Sequence, residues 1–201
     1  VIGNPPPQLL GAAIEAAIAA ARCAPCRKSR RGAAVFNPAA VYAPTAVIGA
    51  GFNGQPPPWR CDGTCTREVR PGVSVCSLVC VHAERRAIDA AIVQVAGYSG
   101  GMVTDLDGLD LVHIKVDHLG QPVPTGPPSC AACSLWVVEH RVAGVWLLER
   151  TPYADLPPEL NLARRALETG IYPESPPRWV RYPGEEFHRL SLVAAGLSVS
   201  A

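Results

Sequence analysis

Val81-His82-Ala83-Glu84-Arg85-Arg86-Ala87-Ile88-Asp89-Ala90-Ala91-Ile92-Val93-Gln94-Val95 is the stretch on which the reading of this chain turns. Ala87, Ile88, Ala91, Ile92 and Val95 recur at helical spacing, which predicts a helix with His82 and Glu84 in its first turn. Around it, helix-like and strand-like segments alternate. Gln8 to Arg22 is an alanine-rich helix with Leu9, Ile14 and Ile18 on its apolar side. Gly32–Phe36 and Ala46–Phe52 read as strands joined by a proline-bearing turn at Asn37 to Pro44. Leu109–Val116 is a third strand and Ala143–Leu148 a fourth. The stretch from Gly97 through Gly100 and Gly101 reads as a linker, Asp117 to Pro128 as turn-rich, Pro158 to Thr169 as a helix, and Pro183 to Leu197 as a helical tail. Strands alternating with helices predict an α/β fold with the sheet covered on both faces. No repeat or boundary divides the chain, so residues 1–201 read as a single domain, with a core of about 8–150 and a C-terminal extension over 151–201.

Downstream lies Ser129-Cys130-Ala131-Ala132-Cys133. Ser129 is placed to cap a helix continued by Leu135, Val137 and Val138, and thiols three residues apart share one helical face. One imidazole and two thiolates form a soft N/S donor set suited to Zn²⁺, and three protein ligands leave the fourth tetrahedral position for water. A structural zinc site would normally close that position with a fourth side chain. Glu84, two residues beyond the histidine, is placed to move protons beside the metal. Two helix N-termini at the site favour thiolate over thiol. A C-x-x-C alone is most often a structural knuckle or a redox pair, and an H-x-E alone carries little information. Their conjunction in this order, each at a helix start, favours a catalytic zinc held by His82, Cys130 and Cys133.

The chain has 201 residues and a formal charge of +1, with eight cysteines. That length supports one hydrophobic core without disulfide staples, and near-neutrality lacks the basic excess usual in polynucleotide binders. No apolar run approaches a membrane span. The opening Val1-Ile2-Gly3-Asn4-Pro5 lacks the charged and apolar regions of a signal peptide, so the expected setting is a reducing cytoplasm.

From Cys26 to Ala90 the chain resembles the deoxycytidylate (dCMP) deaminase branch of the zinc-dependent cytidine deaminase superfamily. The landmarks are Arg31-Gly32-Ala33-Ala34-Val35, then Gly51-Phe52-Asn53-Gly54-Gln55-Pro56, then Cys61-Asp62 and Val81-His82-Ala83-Glu84. The H-x-E followed by C-x-x-C is the pattern of zinc deaminases. The resemblance implies a three-layer α/β/α sandwich with a mixed central sheet. It implies that zinc activates water for attack at C4 of a cytosine ring and that Glu84 relays the proton to N3 and to the departing ammonia. It also places Asn53 against the sugar and Tyr153, just past the fourth strand, against the pyrimidine. As a plain turn residue, Asn53 equally suits an Asn-Gly pair. The chain departs from the family pattern at Ser129, where proline usually precedes the cysteine, at Arg85, where a small or amide residue is common, and in the insertion Asp117 to Gly126. These departures bear on the substrate rather than on the zinc.

The remaining cysteines, Cys23, Cys26, Cys61, Cys65, Cys76 and Cys80, all precede the catalytic motif. By the resemblance, a second, structural zinc falls near the loop Asn53 to Val79, with Cys26, Cys61, Cys65 and Cys80 as the chosen ligands. A long loop poor in apolar residues is held more readily by a metal than by a core. The competing reading is that several are small buried apolar residues. Arg27, Lys28, Arg30 and Arg31 cluster between the first helix and the first strand. Arg27 and Arg31 are the favoured contacts for a mononucleotide phosphate, with Lys115, Arg85 and Arg86 as rivals. The reading is therefore a hydrolytic deaminase of a free cytosine nucleotide that assembles with copies of itself. One alternative is a deaminase of a base in single-stranded DNA or RNA. It calls for a basic groove with aromatic platforms, and the chain has only three Phe, four Trp and five Tyr. The other is a non-catalytic zinc-binding partner subunit, for which Glu84 would have no use.

Overall fold

A computed structural model of the chain describes residues 5–26, 29–56, 80–101, 105–125, 130–149 and 178–194. In chain order they form α1 (Pro7–Cys23), β1 (Arg30–Phe36), β2 (Val47–Phe52), α2 (Ala83–Ser99), β3 (Asp110–Val116), β4 (Pro122–Val123), α3 (Ala131–Glu139), β5 (Gly144–Glu149), β6 (Arg178–Pro183) and α4 (Gly184–Ala194). The sheet runs β2-β1-β3-β5-β6, with β4 paired to β3. Among the described residues only β3 and β5 are parallel neighbours, so the sheet is mixed.

Side-chain alternation along the strands sends successive residues to opposite faces and divides the core in two. Ala34, Phe36, Val112, Ile114, Val116 and Trp146 pack under Ala13, Ala17 and Ala21 of α1. Ala33, Val35, Leu111, Val145 and Leu147 face the other way, against α2, Val137 of α3 and Phe187 of α4. The result is an α/β/α sandwich. The α1 helix uses alanine because Gly32 lets its backbone approach closely: a Cβ there would lie 2.0 Å from the Ala17 carbonyl oxygen. Gly49 and Gly51 do the same for α2, where a Cβ would meet Ala87 and Ala91 at 2.5 Å or the Cβ of Arg86 at 2.5 Å. Three glycines thus set the distance from the sheet to both helix layers.

The far edge is tied by a buried ion pair. Asp110, fully buried on β3, accepts two hydrogen bonds from Arg181 of β6 at 2.7 and 2.8 Å and one from the Trp146 indole of β5 at 2.8 Å. The Arg181 guanidinium lies over Gly144, where a Cβ would come within 2.5 Å. Among the described residues no helix is long and apolar enough to cross a membrane.

The four expected strands are present with ends within two residues of the reading. Three expectations need correction. The α2 helix continues through Gly97 to Ser99 and is closed by Gly100 in the left-handed conformation, φ 66°, so the linker begins later. Cys130, not Ser129, is the N-cap of α3. The core passes beyond residue 150, because β6 and α4 complete the sheet and bury Tyr182 and Phe187. The expected helix Pro158 to Thr169 lies outside the described residues.

Candidate metal centre and its surroundings

His82 is the N-cap of α2 and Cys130 the N-cap of α3, so both sit in extended backbone at the start of a helix. Cys133 follows in the first turn of α3, with its N–H bonded to the Cys130 carbonyl at 3.0 Å. The three donor atoms lie within 4.8 Å of one another. His82 Nδ1 is 3.0 Å from Cys133 Sγ and 3.3 Å from Cys130 Sγ. Donors about 2.0 and 2.3 Å from a tetrahedral zinc stand roughly 3.5 Å apart, so the set fits that ion with little movement. Cys133 is buried, His82 half-buried, and Cys130 exposed at the rim.

The electrostatics of the trio suit a cation. The Cys133 thiol, donating to Cys130, holds the Cys130 thiol down at about 4, and His82 adds to this. Cys133 is driven upward by that same bond, by burial and by the charge of Glu84. His82 is raised by its bond to Cys130, against the opposing effect of burial, and by Glu84. Without a metal, Cys133 keeps its proton. A divalent cation replaces it and favours the second thiolate.

Glu84 is nearly fully buried (3% exposed) in the first turn of α2, where the helix N-terminus favours a negative charge. It lies outside the donor set yet close enough to act on His82 and Cys133. His113 of β3 faces it, with Nε2 3.6 Å from Glu84 Oε1. Sequence reasoning missed this residue. A lone histidine on an apolar strand gives no signal until the topology sets it against the Glu84 carboxylate.

Arg31 and Lys115 are cross-strand partners on β1 and β3, at positions whose side chains share the α2 face. The Arg31 guanidinium donates to Ser29 Oγ at 3.1 Å and to the Thr125 carbonyl at 3.4 Å. Its charge reaches both His82 and His113. Asn53 braces this corner: its Oδ1 accepts from the Arg31 N–H at 2.7 Å, and its Nδ2 donates to the Ser29 carbonyl at 2.8 Å. The insertion expected at the pocket mouth folds back on β3 through β4 and ends with the Thr125 N–H on the Leu148 carbonyl at 3.1 Å.

Among the described residues, three rival cations are occupied elsewhere. Arg86 donates to the carbonyls of Gly54 and Gln55 and lies over Phe52, which makes it a clamp on the turn after β2. Arg85 stacks on Trp136 at 4.6 Å, and Arg30 bonds the Asp117 carbonyl. Cys26 and Cys80 are half-buried and not in disulfides. Gly54 brings their neighbourhoods together, since it pairs with Val81 and packs on Pro25. Arg27, Tyr153, Cys61 and Cys65 lie outside the described residues.

Fold and site together define an α/β protein with three clustered donors that could hold a metal ion and a buried carboxylate beside them. Among solved structures, the chain is similar to the dCMP deaminase from the cyanophage S-TIM5 in its apo form. That likeness has 19% identity and a TM-score of 0.43, and it covers 70% of this chain and 82% of that one. It is also similar to the cytidine deaminase from Burkholderia pseudomallei, with 22% identity, a TM-score of 0.39, and coverage of 68% and 82%. No family model and no curated protein matches it.

Proposed function

We propose that the chain is a zinc-dependent hydrolytic deaminase whose substrate is a free cytosine nucleotide. The observation that carries this reading is that His82, Cys130 and Cys133 converge on one point while the buried carboxyl of Glu84 stands beside them outside the donor set. Zinc held by those three residues would act as a Lewis acid and bring the pKa of water to about 7. Glu84 takes one proton from the attacking water and delivers it to ring N3, then takes the second from the new C4 hydroxyl and delivers it to the departing amine. Water and the aminopyrimidine thereby become the oxo-pyrimidine and ammonia. A buried carboxyl suits this alternation, because solvent does not compete for the proton in transit.

Arg31 holds the phosphate. Among the described residues no carboxylate pairs with its guanidinium, and Lys115 opposite adds a second cation on the same face. Asn53, with one amide hydrogen and one lone pair left after bracing Arg31, takes a sugar hydroxyl. Cys26 and Cys80, with Cys61 and Cys65, hold a second zinc.

The test is ammonia release by zinc-loaded protein from dCMP, dCTP, deoxycytidine, cytosine, guanine and single-stranded oligonucleotides. Turnover of the monophosphate ahead of the nucleoside supports the reading. Deamination of oligonucleotides with every mononucleotide inert makes the chain a polynucleotide deaminase instead, and carefully prepared protein without zinc removes the reading altogether.

A further inference from the structure

His113 is an unusual residue for its position. It sits mid-strand on β3, paired with Ala33 on one side and Leu147 on the other, and is 2% exposed. Neither ring nitrogen has a hydrogen-bond partner among the described residues. An unsatisfied buried polar group costs about 1–3 kcal/mol, and an aliphatic side chain would fill this layer of the core at no such cost. The side chain is therefore poorly explained by folding. What distinguishes the position is its neighbour, since Nε2 points at Glu84 Oε1 from 3.6 Å.

The ring is neutral near pH 7, because burial pushes its pKa down to about 4. Glu84 pulls the other way, while Arg31 and His82 reinforce the fall. A neutral imidazole carries one N–H and one lone pair. A carboxylate facing Nε2 repels a lone pair there and attracts a proton, which selects the Nε2–H tautomer. The 3.6 Å separation is longer than a hydrogen bond, whose N–H···O range is about 2.7–3.2 Å, and such contacts at catalytic groups commonly tighten when substrate binds.

We propose that His113 is a positioning residue for Glu84: its Nε2–H donates to Glu84 Oε1, fixes the carboxyl plane, and leaves Oε2 as the oxygen that carries the travelling proton. This rests on the deaminase reading for its kinetic consequence, though not for the contact itself. No bond to substrate is involved and His113 gains or loses no proton in the cycle. Its effect falls on how often the Glu84 carboxyl is correctly oriented, and therefore on kcat and not on KM.

Two measurements decide it. In zinc-loaded protein, His113→Leu should lower kcat about tenfold or more, leaving KM and zinc content unchanged, because proton transfer by a positioned group contributes roughly 10²–10⁴-fold. His113→Gln, whose amide nitrogen reaches the place of Nε2, should restore kcat to within about threefold of wild type. Equal kcat in the two variants, or a change confined to KM, overturns the proposal. The second measurement needs neither activity nor a variant at 113. Imidazole ¹⁵N NMR of the zinc-loaded protein should show His113 protonated on Nε2, with that resonance shifting in Glu84→Ala. A ring protonated on Nδ1, or one indifferent to Glu84→Ala, overturns it. If no substrate is deaminated, the functional reading fails and the NMR result still decides the pair.

Discussion

At the scale of single residues, Glu84 and His113 behave differently under substitution. Glu84→Ala should keep both fold and zinc, because the carboxyl is not in the donor set, and should lower kcat by about 10²–10⁴-fold. Zinc analysis beside steady-state kinetics checks this, and turnover within about tenfold of wild type would remove Glu84 from the proton path. His113 couples stability to pH. Its folded-state pKa of about 4 lies below the 6.5 of a free imidazole, so the unfolded chain binds the proton more readily. Its contribution is fully present above pH 6.5 and is lost as pH falls towards 4, by on the order of 3 kcal/mol. Urea unfolding of His113→Gln should show a shallower acid decline across that window than wild type; parallel declines would contradict the assignment. The sequence exposed His82, Glu84, Cys130 and Cys133 because each pair falls within one helical turn, where spacing along the chain is spacing in the fold. His113 was hidden because its partner stands on another element, and only the packing of α2 on β3 brings them together. Asn53 was seen, but its grip on Ser29 and Arg31 depends on where β1 begins, which spacing does not reveal.

At the scale of elements, the site depends on where the first turn of α2 stands above the sheet. Gly51 sets that height, since a Cβ there would lie 2.5 Å from Arg86 Cβ and 2.7 Å from the Ala87 nitrogen. The obstacle is mainly helix backbone and a Cβ, neither of which swings aside. Gly51→Ala should destabilise the protein by about 1–3 kcal/mol through overpacking. It should also lower kcat, because the displaced turn carries both His82 and Glu84. Gly11→Ala is the control, as a Cβ at Gly11 meets nothing within 4 Å. Equal stability and equal kcat in the two variants would show that α2 does not rest on Gly51. Strands β1, β2, β3 and β5 were legible because they are short apolar runs between turn residues. The β6 strand, Arg-Trp-Val-Arg-Tyr-Pro, was not: its two arginines interrupt the apolar run, yet one of them neutralises Asp110 two strands away. The two-residue β4 was too short for any periodicity to announce it.

At the scale of the whole molecule, charge separates the two kinds of nucleic substrate. The formal charge of the chain is +1. Among the described residues the cations left on the site's face are a pair, Arg31 and Lys115, while Arg85, Arg86 and Arg30 are engaged with Trp136, the Gly54 turn and Asp117. A pair of cations neutralises one phosphate. Each phosphate neutralised contributes a log–log salt slope of about −0.7 to −0.9, so one contact costs about fourfold or less in affinity between about 50 and about 200 mM salt. Six to ten contacts would cost roughly 10³–10⁵ over the same range. Accordingly, kcat/KM for a cytosine mononucleotide should fall by about fourfold or less over that interval. Arg31→Ala should raise KM for the nucleotide and leave KM for the nucleoside nearly unchanged, because only the former presents a phosphate to the missing guanidinium. The measurement is kcat/KM for both substrates at several salt concentrations, in wild type and in the variant. A steep slope measured on a single-stranded oligonucleotide, with the mononucleotide inert, would instead place several phosphates on the protein. The β3–β4 hairpin, which ends with Thr125 against Arg31 beside the metal centre, would then be the element to examine for a bound strand.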